Sequence, residues 1–241
     1  PTVGLISRTH IIPISRTQDT PGPLARSVTD AARILTVIAG TDPADPATAE
    51  ADARKVDYAA ALDPNALRGA RIGVMRFLLR SYSTETRAVF ERSLQLMRHA
   101  GAEIIDIAEG PADLGKIGGW EFEVLVTELK HDLNAYLAST RPDQVKTRTL
   151  ADLIAFNIAE PRETALFGQE RFERAEAARE IRDPAFLEAR ANAIRAAGRE
   201  GIDKLMVDHR VIALVAPTTS RAASLDREGA DRMQGSASQL P

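Results

Sequence analysis

Cysteine is absent from the 241 residues. That excludes disulfides, thiolate nucleophiles, iron–sulfur clusters and cysteine-based zinc sites. Aromatic residues are scarce at 5%, and the formal net charge is only −3. Nucleic-acid binding draws on clustered positive charge, so no nucleic-acid partner is expected. No apolar run reaches the roughly 18 residues of a spanning helix, so no membrane partner is expected. Four histidines, His10, His99, His131 and His209, are scattered along the chain. Glu128 and His131 form a single E-x-x-H without a second copy. The motif therefore reads as a surface histidine beside acidic neighbours, and neither a metal nor a cofactor is expected. The phosphate-binding patterns G-x-x-x-x-G-K-[ST] and G-x-G-x-x-G are missing, and the cluster Gly115, Gly118 and Gly119 reads as a flexible loop. The G-x-S-x-G elbow is missing too. Ser7 and Ser15 lie in a proline-rich loop with no base nearby in sequence, and read as turn hydroxyls bonded to local groups.

What remains has ordinary globular composition, 44% hydrophobic and 27% charged, with length enough to bury a core. Arginine outnumbers lysine about fivefold and alanine is abundant, a composition that fits a GC-rich bacterial source. Residues 1–25 carry Pro13, Pro21 and Pro23 with Gly4 and Gly22, an ordered-loop pattern with short extended pieces. Ser27 and Asp30 form a capping box that opens a helix with Val28, Ala31, Ile34, Leu35 and Ile38 on one face, ending at Gly40. Residues 41–67 read as a surface connection with a helical turn near Tyr58. Residues 71–75 read as a strand, 86–100 as an amphipathic helix stopped by Gly101, and 103–107 as a second strand. Strand, helix and strand at this spacing make a βαβ unit with parallel strands. The second half is mostly helical. Helices are expected over 119–140, after Thr149 with Asp152, over 167–181, from the Asp183-Pro184 N-cap to about 197, and over 201–207. Residues 211–216 (VIALVA) read as a strand buried on both faces, ended by Pro217. Residues 220–241 have no period and read as a flexible or divergent tail.

The opening 32 residues carry a dense set of fixed offsets: Pro1-Thr2-x-Gly4, Ser7-Arg8, Ile12-Pro13-x-Ser15, Asp19-Thr20-x-Gly22-Pro23, Arg26 and Asp30. This resembles the stretch that follows the signature region of amidase signature enzymes. Further pieces resemble the peptide-amidase branch: TDPADPAT at 41–48, LRGARIGV at 67–74, HAGAEIIDI at 99–107, LKHDLNAYL at 129–137, LADLIAFN at 150–157, LFGQE at 166–170 and LVAPTT at 214–219. The resemblance covers residues 1–219.

The resemblance implies an α/β fold: part of a mixed sheet flanked by helices, with a helical excursion over 118–207. Residues 1–219 would be the middle-to-late portion of one amidase domain. It also implies hydrolysis of a small carboxamide or a peptide C-terminal amide by a serine, a second serine in a cis peptide, and a lysine. All three would lie upstream of Pro1, so the chain by itself is expected to be inactive and to need the missing N-terminal part of the same enzyme as its partner. No export signal is visible, which makes the cytoplasm the default compartment. No catalytic residue is assigned on this chain. The pocket wall and its support are instead assigned to Asp19, Thr20, Arg26, Thr218 and Thr219. Asp19 either orients the catalytic serine loop or serves as a plain N–H acceptor in a turn. Arg26 is expected to pair with a carboxylate or carbonyls and fix that loop. Thr218 and Thr219 follow a strand whose C-terminal end would face a ligand cleft. Phe156, Phe167 and Gln169 are weaker wall candidates. An amidotransferase subunit that releases ammonia for a partner enzyme, an inactive remnant of a broken gene, and a helical interaction module are the alternatives.

Overall fold

The computed structural model describes residues 2–219. The residues divide into two units of dense internal contact. One holds the residues up to Pro64 together with Glu128–Asp152; the other holds Asn65–Thr127 and the residues from Leu153 onward.

In the first unit the chain begins without regular structure. It touches sheet geometry once, in an antiparallel bridge between Ile6 and Ala39. Gly4 adopts φ +83°, and a Cβ there would lie 2.4 Å from the carbonyl oxygen of Ala47. Glycine is therefore required twice over, by the left-handed backbone and by the close approach. Helix α1 spans Val28–Ile38 and is capped as expected, with the Ser27 hydroxyl accepting from Asp30 N. Its packing differs from expectation. Ala32 is buried, but Val28, Ile34 and Ile38 are exposed. The connection beyond α1 is not simply surface either, since Asp45 and Thr48 are buried there. It holds a short 3-10 turn, Pro46–Thr48, and α2, Ala51–Arg54, and near Tyr58 a single turn closed by Ala61 N donating to Asp57 O at 3.1 Å.

The second unit contains the expected βαβ arrangement. Strand β1 is Arg71–Met75, helix α3 is Thr84–His99, and strand β2 is Glu103–Ile107. Ser83 caps α3 by accepting from Thr86 N. Gly101, at φ +97°, turns the chain into β2. The strands pair in parallel, Ile72 opposite Ile104 and Val74 opposite Asp106. Strand β3, Ala213–Val215, joins the other side of β1 in parallel, which gives the order β2-β1-β3. β1 is the enclosed strand, and Val74, Leu79, Tyr82, Phe90 and Leu94 pack together beside it. The apolar run at 211–216 had suggested full burial of both faces. β3 is instead three residues long, half-buried, and at the edge of the described sheet. The described strands form an open parallel sheet with helices beside it, a part of the α/β fold that the resemblance implied.

Helix α4 spans Leu114–Ser139. Gly115, Gly118 and Gly119 lie inside its first two turns, so the loop expected there is a helix. No atom lies within 4 Å of an added Cβ at any of the three. These glycines cost helix propensity, and Ile117, buried against Ala196 and Ala197, packs that same turn into place. Helix α5 is Leu150–Ala159, begun by Thr149 and Asp152 as expected. Helix α6 is only Glu170–Glu176, shorter than the charged period at 167–181 suggested. Charged residues with helical spacing do not hold a helix without a buried face, and α6 buries Ala175 alone. Helix α7, Pro184–Ala197, starts at the Asp183 cap with Pro184 at its first position. A π-helical turn, Gly198–Ile202, leads into α8, Asp203–His209. The tail at 220–241 lies outside the described residues. Among the described residues no helix is long and apolar enough to cross a membrane.

Candidate functional site

The loop of residues 7–19 is held from three directions by carboxylates of its own unit. The first is Asp45. Arg8 donates from Nε to Asp45 Oδ2 at 2.9 Å and from Nη2 to Oδ1 at 2.8 Å, and Arg8 N adds a third bond at 3.0 Å. The Arg8 guanidinium, the largest influence, holds the Asp45 carboxyl down at about 2. The same guanidinium donates to the carbonyl of Arg16, which links both ends of the loop. Asp42 next to it accepts from Ser7 Oγ at 2.6 Å, and the hydroxyls of Ser7 and Thr9 keep its carboxyl low. Both aspartates belong to the TDPADPAT segment. Thr48 locks that segment by accepting from Asp42 N at 2.8 Å and donating to Asp45 O.

The second hold comes from α4. Glu128 and Asp132 are one turn apart and share a face. Glu128 is 1% exposed. Its Oε2 accepts from Ser15 Oγ at 2.5 Å, Thr17 Oγ1 at 2.8 Å and Thr17 N at 3.2 Å. Asp132 Oδ2 accepts from Arg16 N at 2.8 Å, and its Oδ1 lies 2.7 Å from His131 Nδ1. The third hold is internal. Asp19 Oδ2 accepts from Ile14 N at 2.8 Å and Ser15 N at 2.9 Å, while Asp19 N donates to Ser15 O. A small cleft of about 200 Å³ runs along this loop, lined by Arg8, Arg16, Asp19 and Asp45 among others.

Glu128 is thus no surface residue but a buried carboxylate that accepts three bonds from the loop, while His131 beside it pairs with Asp132. Periodicity concealed it. Val126, Thr127, Glu128 and Leu129 are consecutive and all buried, so α4 is enclosed around its circumference here and carries no single apolar face to read. A buried carboxylate is tolerable only with donors, and those donors lie 111 and 113 residues away in sequence. Ser7 and Ser15 do hold the loop in place, but their hydroxyls donate to carboxylates distant in sequence, Asp42 and Glu128, rather than to the local groups expected of turn hydroxyls.

The other sequence candidates are placed as follows. Thr20 is exposed, with its hydroxyl 3.4 Å from Pro21 O. Arg26 is exposed and has no hydrogen-bond or ion-pair partner among the described residues. Among the described residues it is Arg8 that ties this loop to carboxylates. In the second unit, Thr218 and Thr219 are exposed just beyond β3. The segment before them is anchored where Tyr82 Oη donates to Pro217 O at 2.7 Å. Phe156 and Phe167 are exposed. Gln169 accepts from Asn157 Nδ2 at 3.1 Å. Among the described residues no cluster of His, Asp and Glu could hold a metal ion. No serine of this loop has a histidine or lysine within hydrogen-bond distance, so the described bonds supply no activated nucleophile.

Comparison with known proteins gives the family. The chain is 43% identical to the native peptide amidase of Stenotrophomonas maltophilia, whose X-ray structure matches with a TM-score of 0.87 over 100% of this chain and 48% of that one. It is 32% identical over 222 residues to an Arabidopsis thaliana protein described as a probable amidase, covering 89% of this chain and 41% of that protein. Over 108 residues, 44% of this chain and 21% of the other, it is 40% identical to a glutamyl-tRNA(Gln) amidotransferase subunit of a Synechococcus strain. The chain therefore spans about half or less of the length of these relatives. The family model for amidases matches residues 1–238, and the chain belongs to the amidase family.

Proposed function

We propose that this chain is part of an enzyme that hydrolyses the C–N bond of a carboxamide, with a peptide C-terminal amide as the foremost substrate. The observation that carries the reading is the likeness to the Stenotrophomonas peptide amidase along the whole chain, at 43% identity. In such a reaction a serine oxygen adds to the amide carbon, the C–N bond breaks, and the leaving nitrogen takes a proton and departs as ammonia. Water then releases the carboxylate from the acyl-serine. An amide is a poor electrophile, so the step requires an activated nucleophile and oxyanion donors together. The resemblance assigns the serine pair and the lysine to sequence upstream of Pro1. This chain would then supply the support of the active-site loop through Asp19 and Thr20, and pocket wall through Thr218 and Thr219. Arg26, exposed and without a partner among the described residues, would meet substrate or another segment.

The test is ammonia release from a short peptide amide, with the free-acid peptide as blank. The 241-residue chain alone is expected to release none. The same chain joined to the upstream half of the Stenotrophomonas enzyme is expected to release ammonia, and a serine-directed reagent should stop it. Turnover by the chain alone, abolished by that reagent, would overturn the division of labour. Preference for glutamine over peptide amides would favour the amidotransferase reading instead.

A further inference from the structure

We draw no further inference here: the strongest candidate, the cleft of about 430 Å³ between the β2–α4 loop and helices α7 and α8, lined by Glu109, Asp113, Glu200, Lys204 and Asp208 among others, is an acidic cluster in which Asp113, Glu200 and Asp208 are already paired with Lys116, Arg195 and Lys204, and nothing in the structure shows what it would take up.

Discussion

Glu128 carries a carboxylate almost wholly out of water, and three donors from residues 15–17 converge on one of its oxygens. Bonds to a charged acceptor contribute more than neutral ones, and donors stranded by its loss carry a desolvation penalty. Glu128→Ala is therefore expected to destabilise the protein by roughly 3 kcal/mol. Glu128→Gln, which keeps an acceptor oxygen without the charge, should cost about 1 kcal/mol. Urea unfolding at constant m-value reads both. Equal midpoints for the two variants would mean that side-chain volume, not the acceptor, holds the loop. At this scale the sequence was legible where partners are local. The Ser27 and Thr149 caps and the N–H acceptor reading of Asp19 all follow from neighbours within a few residues. Glu128 and Arg8 were not legible, because their partners are fixed by contacts between positions far apart along the chain.

Elements began where short-range chemistry dictated. Asp183 accepts from Ala185 N at 2.8 Å, and Pro184 supplies the preset φ of the first helical position. Asp183→Ala is expected to cost about 1 kcal/mol and Asp183→Asn much less, since the amide oxygen still caps. A difference between the two in urea midpoint checks the cap; a common shift would point to the 3.7 Å pair with Arg179 instead. Elements without a capping residue were less legible. α6 stops after seven residues although the charged period continues, because only Ala175 is buried. β3 is shorter and more open than its apolar run suggested, since only Ala213, Leu214 and Val215 pair in register with β1. The glycines of 115–119 are helical because packing around Ile117 outweighs their propensity.

Acid unfolding is a whole-molecule property through which single carboxylates speak. The Asp45 carboxyl is held from 3.8 to about 2, chiefly by Arg8. A depressed value in the folded state stabilises at every pH above the unfolded value. The contribution, about 2 kcal/mol once solvent screening is allowed for, is complete above pH 4 and is lost as pH falls through about 2. Arg8→Met should flatten this part of the acid limb in pH-dependent urea unfolding. An unchanged slope between pH 4 and 2 would remove Asp45 from the account.

The sequence by itself determined the parallel βαβ unit, the capped starts of α1, α5 and α7 and, through the offsets of its first 32 residues, the amidase family. Each of these depends on residues close together in the chain or on spacing alone. Only the tertiary structure decided which apolar residues are covered, that Val28, Ile34 and Ile38 stay exposed while Glu128 is buried, and that Arg8 rather than Arg26 ties the loop. Burial is a property of the neighbours that folding brings from distant positions, and no local pattern carries it.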